Sequence, residues 1–277
     1  SAVRPARYHP RPDAGPRPGP ERAAPVTLRR APPVTTDHPL RNRVAVITGA
    51  TAGIGEACAR ALVKAGARVV LNARREQRLR QMVDEFGAED ACFVAGDAGD
   101  EGVVQRALDA ATSEFGREAD LVIVNAGRGL KGSVLDSDRA QWEEMIRVNL
   151  LGAALLIRHA GRRMLAAVDA DKARHVSWED TPRDIVVLGS TVGRHISPFS
   201  SMYGSTKFGV NAMAEAARRE LGPKGVRVTL VEPGFVVSEF QGVAGYDPEW
   251  FKGVVERIGP VLTPEDVASA VAWVCAL

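Results

Sequence analysis

The 277 residues, 45% of them hydrophobic, suffice to bury one substantial core, and a formal net charge of +2 conceals an uneven distribution. Residues 1–40 carry seven Arg against Asp13, Glu21 and Asp37, a net of +4; the remainder is −2 by difference, which excludes it as an obvious nucleic-acid binder. Cys58, Cys92 and Cys275 are far apart, the five His are scattered, and no apolar run reaches the roughly 18 residues that cross a bilayer, so a soluble cytoplasmic protein with reduced thiols and no metal site is expected.

Residues 1–40 hold ten of the 17 Pro and almost no aliphatic pattern, which predicts a disordered or polyproline arm. Its readings are a linker, a strap across a partner subunit, or a basic docking segment. The first residue is Ser rather than Met, so a trimmed start is expected and any removed signal is invisible. From residue 41 to 277 short apolar runs alternate with helical stretches: strands near 43–48, 67–72, 91–96, 120–124, 184–190 and 225–231, and helices near 53–65, 75–86, 100–115, 138–168, 201–221 and 263–276. Strand–helix alternation predicts an α/β domain, a doubly wound parallel sheet of the Rossmann type with helices on both faces. The polar stretch 168–183, with Trp178, reads as a surface excursion. The stretch 239–260 mixes aromatics and glycines (Phe240, Tyr246, Trp250, Phe251) and suits a mobile lid.

Three places carry chemistry. The β-branched run ending at Thr48 breaks into Gly49-Ala-Thr51-Ala-Gly53-Ile54-Gly55 and opens a helix. Glycines there allow close backbone approach to a pyrophosphate, and the helix N-terminus offers free N–H groups. The second strand ends Asn72-Ala73-Arg74-Arg75. An acid at that end would bind the ribose hydroxyls of NAD; Ala73 replaces it and Arg74 follows, whose guanidinium can fork onto a 2′-phosphate, so NADP(H) is expected. Finally, Ser190 ends a strand and Tyr203 and Lys207, four apart, share a helix face. An ammonium beside the phenol is expected to lower its pKa and fit it for acid–base work, with the Ser190 hydroxyl holding a carbonyl or alcohol oxygen. Arg194 and His195 are candidates for binding a substrate carboxylate.

These motifs, with Asp97, Asn125-Ala126-Gly127, Asn149 and Pro233-Gly234 in the same order, make residues 42–277 resemble the short-chain dehydrogenase/reductases. Among them, the chain is most similar to bacterial NADP-dependent 3-hydroxy acid dehydrogenases that act on serine-like substrates. The resemblance implies hydride exchange between NADP(H) and a small-molecule ketone or secondary alcohol, without nucleic acid or membrane, in a homodimer or homotetramer. It implies Asn149, Ser190, Tyr203 and Lys207 as the catalytic set, Lys207 also on the nicotinamide ribose and Asn149 holding a relay water by its side chain or carbonyl. It places Gly49, Thr51, Gly53, Ile54, Gly55, Arg74, Asp97, Ala98, Asn125, Ala126, Gly127, Pro233, Gly234, Val236 and Ser238 on the cofactor, with Asp97 at the adenine and Asn125 tying strands. A nucleotide-binding protein without catalysis on the same fold is the rival. The chain ends at Leu277 within a helical pattern, where the family usually adds a seventh strand.

Overall fold

The computed structural model describes residues 38–177 and 180–277; most of the predicted arm, and Trp178, lie outside them. Six strands, β1 (Val44–Thr48), β2 (Arg68–Ala73), β3 (Ala91–Ala95), β4 (Leu121–Val124), β5 (Asp184–Leu188) and β6 (Arg227–Val231), pair in parallel in the order β3-β2-β1-β4-β5-β6. Their period-2 alternation feeds two cores. Val44 and Val46 of β1 pack on one face with Leu108 of α3 (Glu101–Phe115), Leu156 and Met164 of α5 (Ala153–Ala173) and Val210 of α6 (Ser201–Leu221). Ala45 and Ile47 turn to the other face, against Leu62 of α1 (Gly53–Lys64), Met82 of α2 (Glu76–Phe86) and Val271 of α9 (Pro264–Cys275). Strands buried on both faces explain the uninterrupted apolar runs.

Two ends of the sheet differ in chemistry. At the N-terminal edge, Arg43 bridges Asp120 (2.7 Å) and Asp184 (2.8 Å), and Arg227 completes the cluster on Asp184 (2.6 Å), closing four elements into one buried network. At the C-terminal edge the order of strand addition reverses between β1 and β4, leaving the crevice where α/β sheets bind ligands.

The single helix expected over 138–168 is interrupted. A short α4 (Trp142–Ile146) leads into a π-helical turn, Arg147–Gly152, before α5 begins. At Gly152 an added Cβ would lie 2.7 Å from the Ala98 carbonyl, so close packing holds the chain here, and π turns of this kind concentrate at functional sites. α5 then runs to Ala173, past the predicted end. The supposed surface excursion is partly anchored: buried Asp171 pairs with Arg183 and, at 2.6 Å, with Arg174.

Candidate active site

A cleft of ≈ 840 Å³ opens along the C-terminal ends of the strands. Its floor begins with the loop after β1. Gly49 and Gly53 hold φ of +68° and +52°, where side chains are strained, and a Cβ on Gly55 would sit 2.2 Å from the Gly49 carbonyl. Asp100, Asp247 and Thr263 cap their helices with side-chain oxygens, whereas Ala52 at the start of α1 provides none. Ala52, Gly53 and Ile54 of that first turn line the cleft, the arrangement a pyrophosphate requires. The residues present therefore fit a dinucleotide.

The loop is braced from beside it. Thr48 Oγ1 accepts from Asn125 N (3.2 Å) and Ala126 N (3.1 Å), and Asn125 Nδ2 donates to Thr48 O at 2.9 Å, so Asn125 ties β4 to β1 as expected. Asp97 lines the cleft after β3; its carboxylate accepts from Gly99 N (2.8 Å) and pairs with Arg147 at 2.6 Å, and burial opposed by these partners leaves its pKa lowered. Arg74 lines the cleft as expected and pairs with Glu144 at 2.8 Å; Glu144 also pairs with Arg128. Arg75, given no role from the sequence, is bound into the site: Nη2 donates to Thr51 O (2.6 Å), Nε to Thr51 Oγ1 (3.2 Å), and Nη1 meets Glu239 at 2.9 Å.

The catalytic candidates converge from two elements. Ser190 follows β5 and its Oγ accepts from Val192 N at 3.1 Å, starting a 3₁₀ turn at Thr191–Gly193. Tyr203 and Lys207 stand on the first two turns of α6. Lys207, 8% exposed, donates from Nζ to Leu188 O at 2.8 Å, and burial pulls its pKa down from 10.5 to about 8. The expected lowering at Tyr203 is not found: burial pushes the phenol up from 10.0 to about 12, opposed by its hydrogen bond with Ser190. Desolvation disfavours the phenolate here, and the ammonium that was to stabilise it is itself desolvated.

Asn149 occupies the π turn, but its side chain is fully engaged away from Lys207. Oδ1 accepts from Arg128 N (2.8 Å), and Nδ2 donates to Arg128 O (2.9 Å) and Thr206 Oγ1 (3.0 Å). This corrects the side-chain form of the relay: the amide clamps the loop following Gly127 to α6. Arg194 is likewise occupied, forked onto Glu232 at 2.7 and 3.1 Å, with Asn211 donating to the same carboxylate at 2.5 Å. Arg194 lies outside the cleft lining, whereas His195 is on it.

After β6, Pro233, Gly234, Val236 and Ser238 line the cleft, and Ser238 Oγ accepts from Phe240 N at 3.2 Å. Two helices, α7 (Phe240–Val243) and α8 (Pro248–Ile258), occupy the predicted lid. Every predicted site residue lines the cleft except Gly55, packed behind the glycine loop, Asn149, behind Arg128, and Arg194. Arg75, Arg128 and Glu144 were missed as site residues, because salt bridges across 16, 70 and 164 positions have no sequence periodicity.

The profile of the short chain dehydrogenase family matches residues 43–247. The chain belongs to this family. Glycine betaine reductase ATRR of Emericella nidulans is 31% identical over 252 residues, covering 90% of this chain; the chain spans only 19% of that relative's length. Among solved structures, the 3-ketoacyl-(acyl-carrier-protein) reductase of Brucella melitensis, complexed with NADH, superposes with a TM-score of 0.73 at 28% identity over 85% of this chain and 91% of that one. A serine dehydrogenase in its closed form, complexed with NADP⁺, gives 0.71 at 29% identity over 84% and 89%. This short-chain dehydrogenase is accordingly an oxidoreductase with the family's Rossmann sheet, and no described helix is long and apolar enough to cross a membrane.

Proposed function

We propose that the chain interconverts a ketone and a secondary alcohol with NADP(H), Tyr203 acting as general acid–base. The observation that carries this is the meeting of Ser190, Tyr203 and Lys207 on the wall of the same cleft that the uncapped α1 terminus and the glycine loop enter. The nicotinamide, when bound, supplies or takes up a hydride. Ser190 Oγ, already hydrogen-bonded to Tyr203, holds the substrate oxygen. A phenol pushed to about 12 stays protonated at working pH, so Tyr203 donates its proton to the forming alkoxide in the reductive direction. Lys207, charged below about pH 8, binds the ribose hydroxyls and restores the phenol's proton through water, with the Asn149 main chain in the π turn as support.

Choice of dinucleotide rests on the β2 end. Solved relatives carry NADH in one case and NADP⁺ in another, so the neighbours leave both open. Ala73 gives the ribose no acceptor, while Arg74 and Arg75 stand together on the lining, which favours a 2′-phosphate. The test is NADPH oxidation followed beside alcohol formation, over a panel of ketones. One alcohol per NADPH, with kcat/KM at least about tenfold above that with NADH, is expected from one to two charge-assisted hydrogen bonds. A protein that binds NADPH and reduces no ketone would favour the non-catalytic rival.

Assembly is proposed as a two-fold homodimer or tetramer in the cytoplasm. Ile146, Leu151 and Phe208, on the α4–α5 and α6 stretch, leave 41%, 49% and 39% of their surfaces exposed, apolar area that a second copy would cover. Light scattering that finds only a monomer of 29.6 kDa would contradict the assembly.

A further inference from the structure

The cleft changes character beyond Tyr203 and Ser190. Its lining there is apolar and uncovered: Ile196 is 85% exposed, Phe199 73%, Val243 54%, Trp250 51% and Phe235 49%. Aromatic rings are paired along it. Tyr203 and Phe240 lie 5.5 Å apart at 58°, and Tyr246 stacks on Trp250 at 5.6 Å and 10°, so broad ring faces are held in fixed orientation. Large apolar surface concentrated beside reactive groups marks a ligand site, since scattered single residues would not line one wall.

Charge points the same way. Arg194 is forked onto Glu232 and does not line the cleft, Arg74 and Arg75 stand at the dinucleotide end, and Arg128 is held by Glu144 and Gln141. His195 and Arg257 also line the cleft, but both are exposed, and an ion pair formed in water is worth little. We infer that the substrate is a bulky apolar ketone, carrying an aryl group or an extended alkyl chain on the carbonyl carbon, and not a small keto acid. The inference rests on Tyr203 and Ser190 holding the carbonyl oxygen. That placement sends the carbonyl's larger substituent along Phe240, Phe199 and Trp250, away from the polar dinucleotide end.

Initial rates at saturating NADPH, over neutral methyl ketones from butanone to undecanone, acetonaphthone and acetoacetate, test it. Each methylene that enters the groove is expected to raise kcat/KM about three- to fourfold until the groove is full. Acetonaphthone should exceed acetoacetate by about 100-fold or more on the same grounds. Trp250→Ala, at a residue 51% exposed and hence outside the core, is expected to flatten the chain-length series. A preference for acetoacetate, or rates indifferent to chain length as when a second copy covers the patch, overturns the inference while leaving the reductase reading intact. Should no ketone be reduced, calorimetry with acetonaphthone in the presence of NADP⁺ separates the two claims. Binding in wild type, weakened about tenfold or more by Trp250→Ala, sustains the apolar site without the catalysis; absence of binding overturns it.

Discussion

The two halves of the cleft are made of different materials. The dinucleotide half is largely main chain: Gly49 and Gly53 at positive φ, the uncapped first turn of α1, and strand ends locked by Asn125 and Thr48. The substrate half is side chain, carried on α7, α8 and the stretch around Ile196 and Phe199, and several of its residues face solvent. A backbone site is fixed by the sheet and suits a ligand that does not vary. A side-chain site on short helices can be rebuilt by substitution without disturbing the sheet, which is how one fold serves many substrates.

If that division is sound, substitutions at the β2 end alter dinucleotide choice without touching ketone choice. Arg74→Ala removes charge-assisted hydrogen bonds worth about 1.5–3 kcal/mol and is expected to weaken NADPH by roughly 10- to 150-fold with NADH nearly unchanged. Adding Ala73→Asp supplies an acceptor for the ribose hydroxyls and repels the phosphate, turning preference toward NADH. Glu144→Gln works in the opposite direction, because its carboxylate holds Arg74 at 2.8 Å in competition with the phosphate. That exposed pair is worth about 1 kcal/mol at most, so NADPH should tighten by no more than about fivefold. Comparing kcat/KM for both cofactors, on a short and a long ketone, decides: equal losses with both dinucleotides, or a changed ketone ranking, would break the division.

A gentler probe is pH. With Tyr203 at about 12 and Lys207 at about 8, the first group to titrate above neutrality is Lys207. Reductive kcat/KM is expected to be level below about pH 8 and to fall by about tenfold per unit above it, as the ammonium loses its proton. Stability should move oppositely. Burial holds the folded amine below its ordinary 10.5, so between about 8 and 10.5 the unfolded chain binds the extra proton and the contribution of Lys207 to stability rises with pH, against the opposite slope above 9 of the Cys58, Cys92 and Cys275 thiols, pushed up by burial to about 12. Below about 8 both states are protonated and the burial penalty is present in full. Denaturant midpoints across that window check the sign: the stability of wild type relative to Lys207→Met should rise with pH, since the thiols are common to both.

Sequence pattern disclosed what is local or repetitive. Short apolar runs and helical stretches between them gave the strands and most helices, a missing Cβ at Gly49 and Gly53 marked the phosphate loop, and a four-residue spacing put Tyr203 and Lys207 on one face. It missed what depends on distant packing. Nothing in Arg147-Val-Asn-Leu-Leu-Gly152 breaks a helix, yet Asn149 is drawn to Arg128 and Thr206 and Gly152 to Ala98, and the ladder opens. Arg194 reads as a free cation until Glu232, 38 positions on, is brought beside it. The direction of the Tyr203 shift follows from burial, which spacing does not report.

The measurement closest to the central claim is the turnover of Tyr203→Phe, taken together with its NADPH affinity. Loss of the transferable proton with the ring and its packing against Phe240 retained predicts a fall of about 10² to 10⁴ in kcat and an NADPH Kd within about twofold of wild type. Turnover near the wild-type value would contradict the assignment of Tyr203 as the general acid.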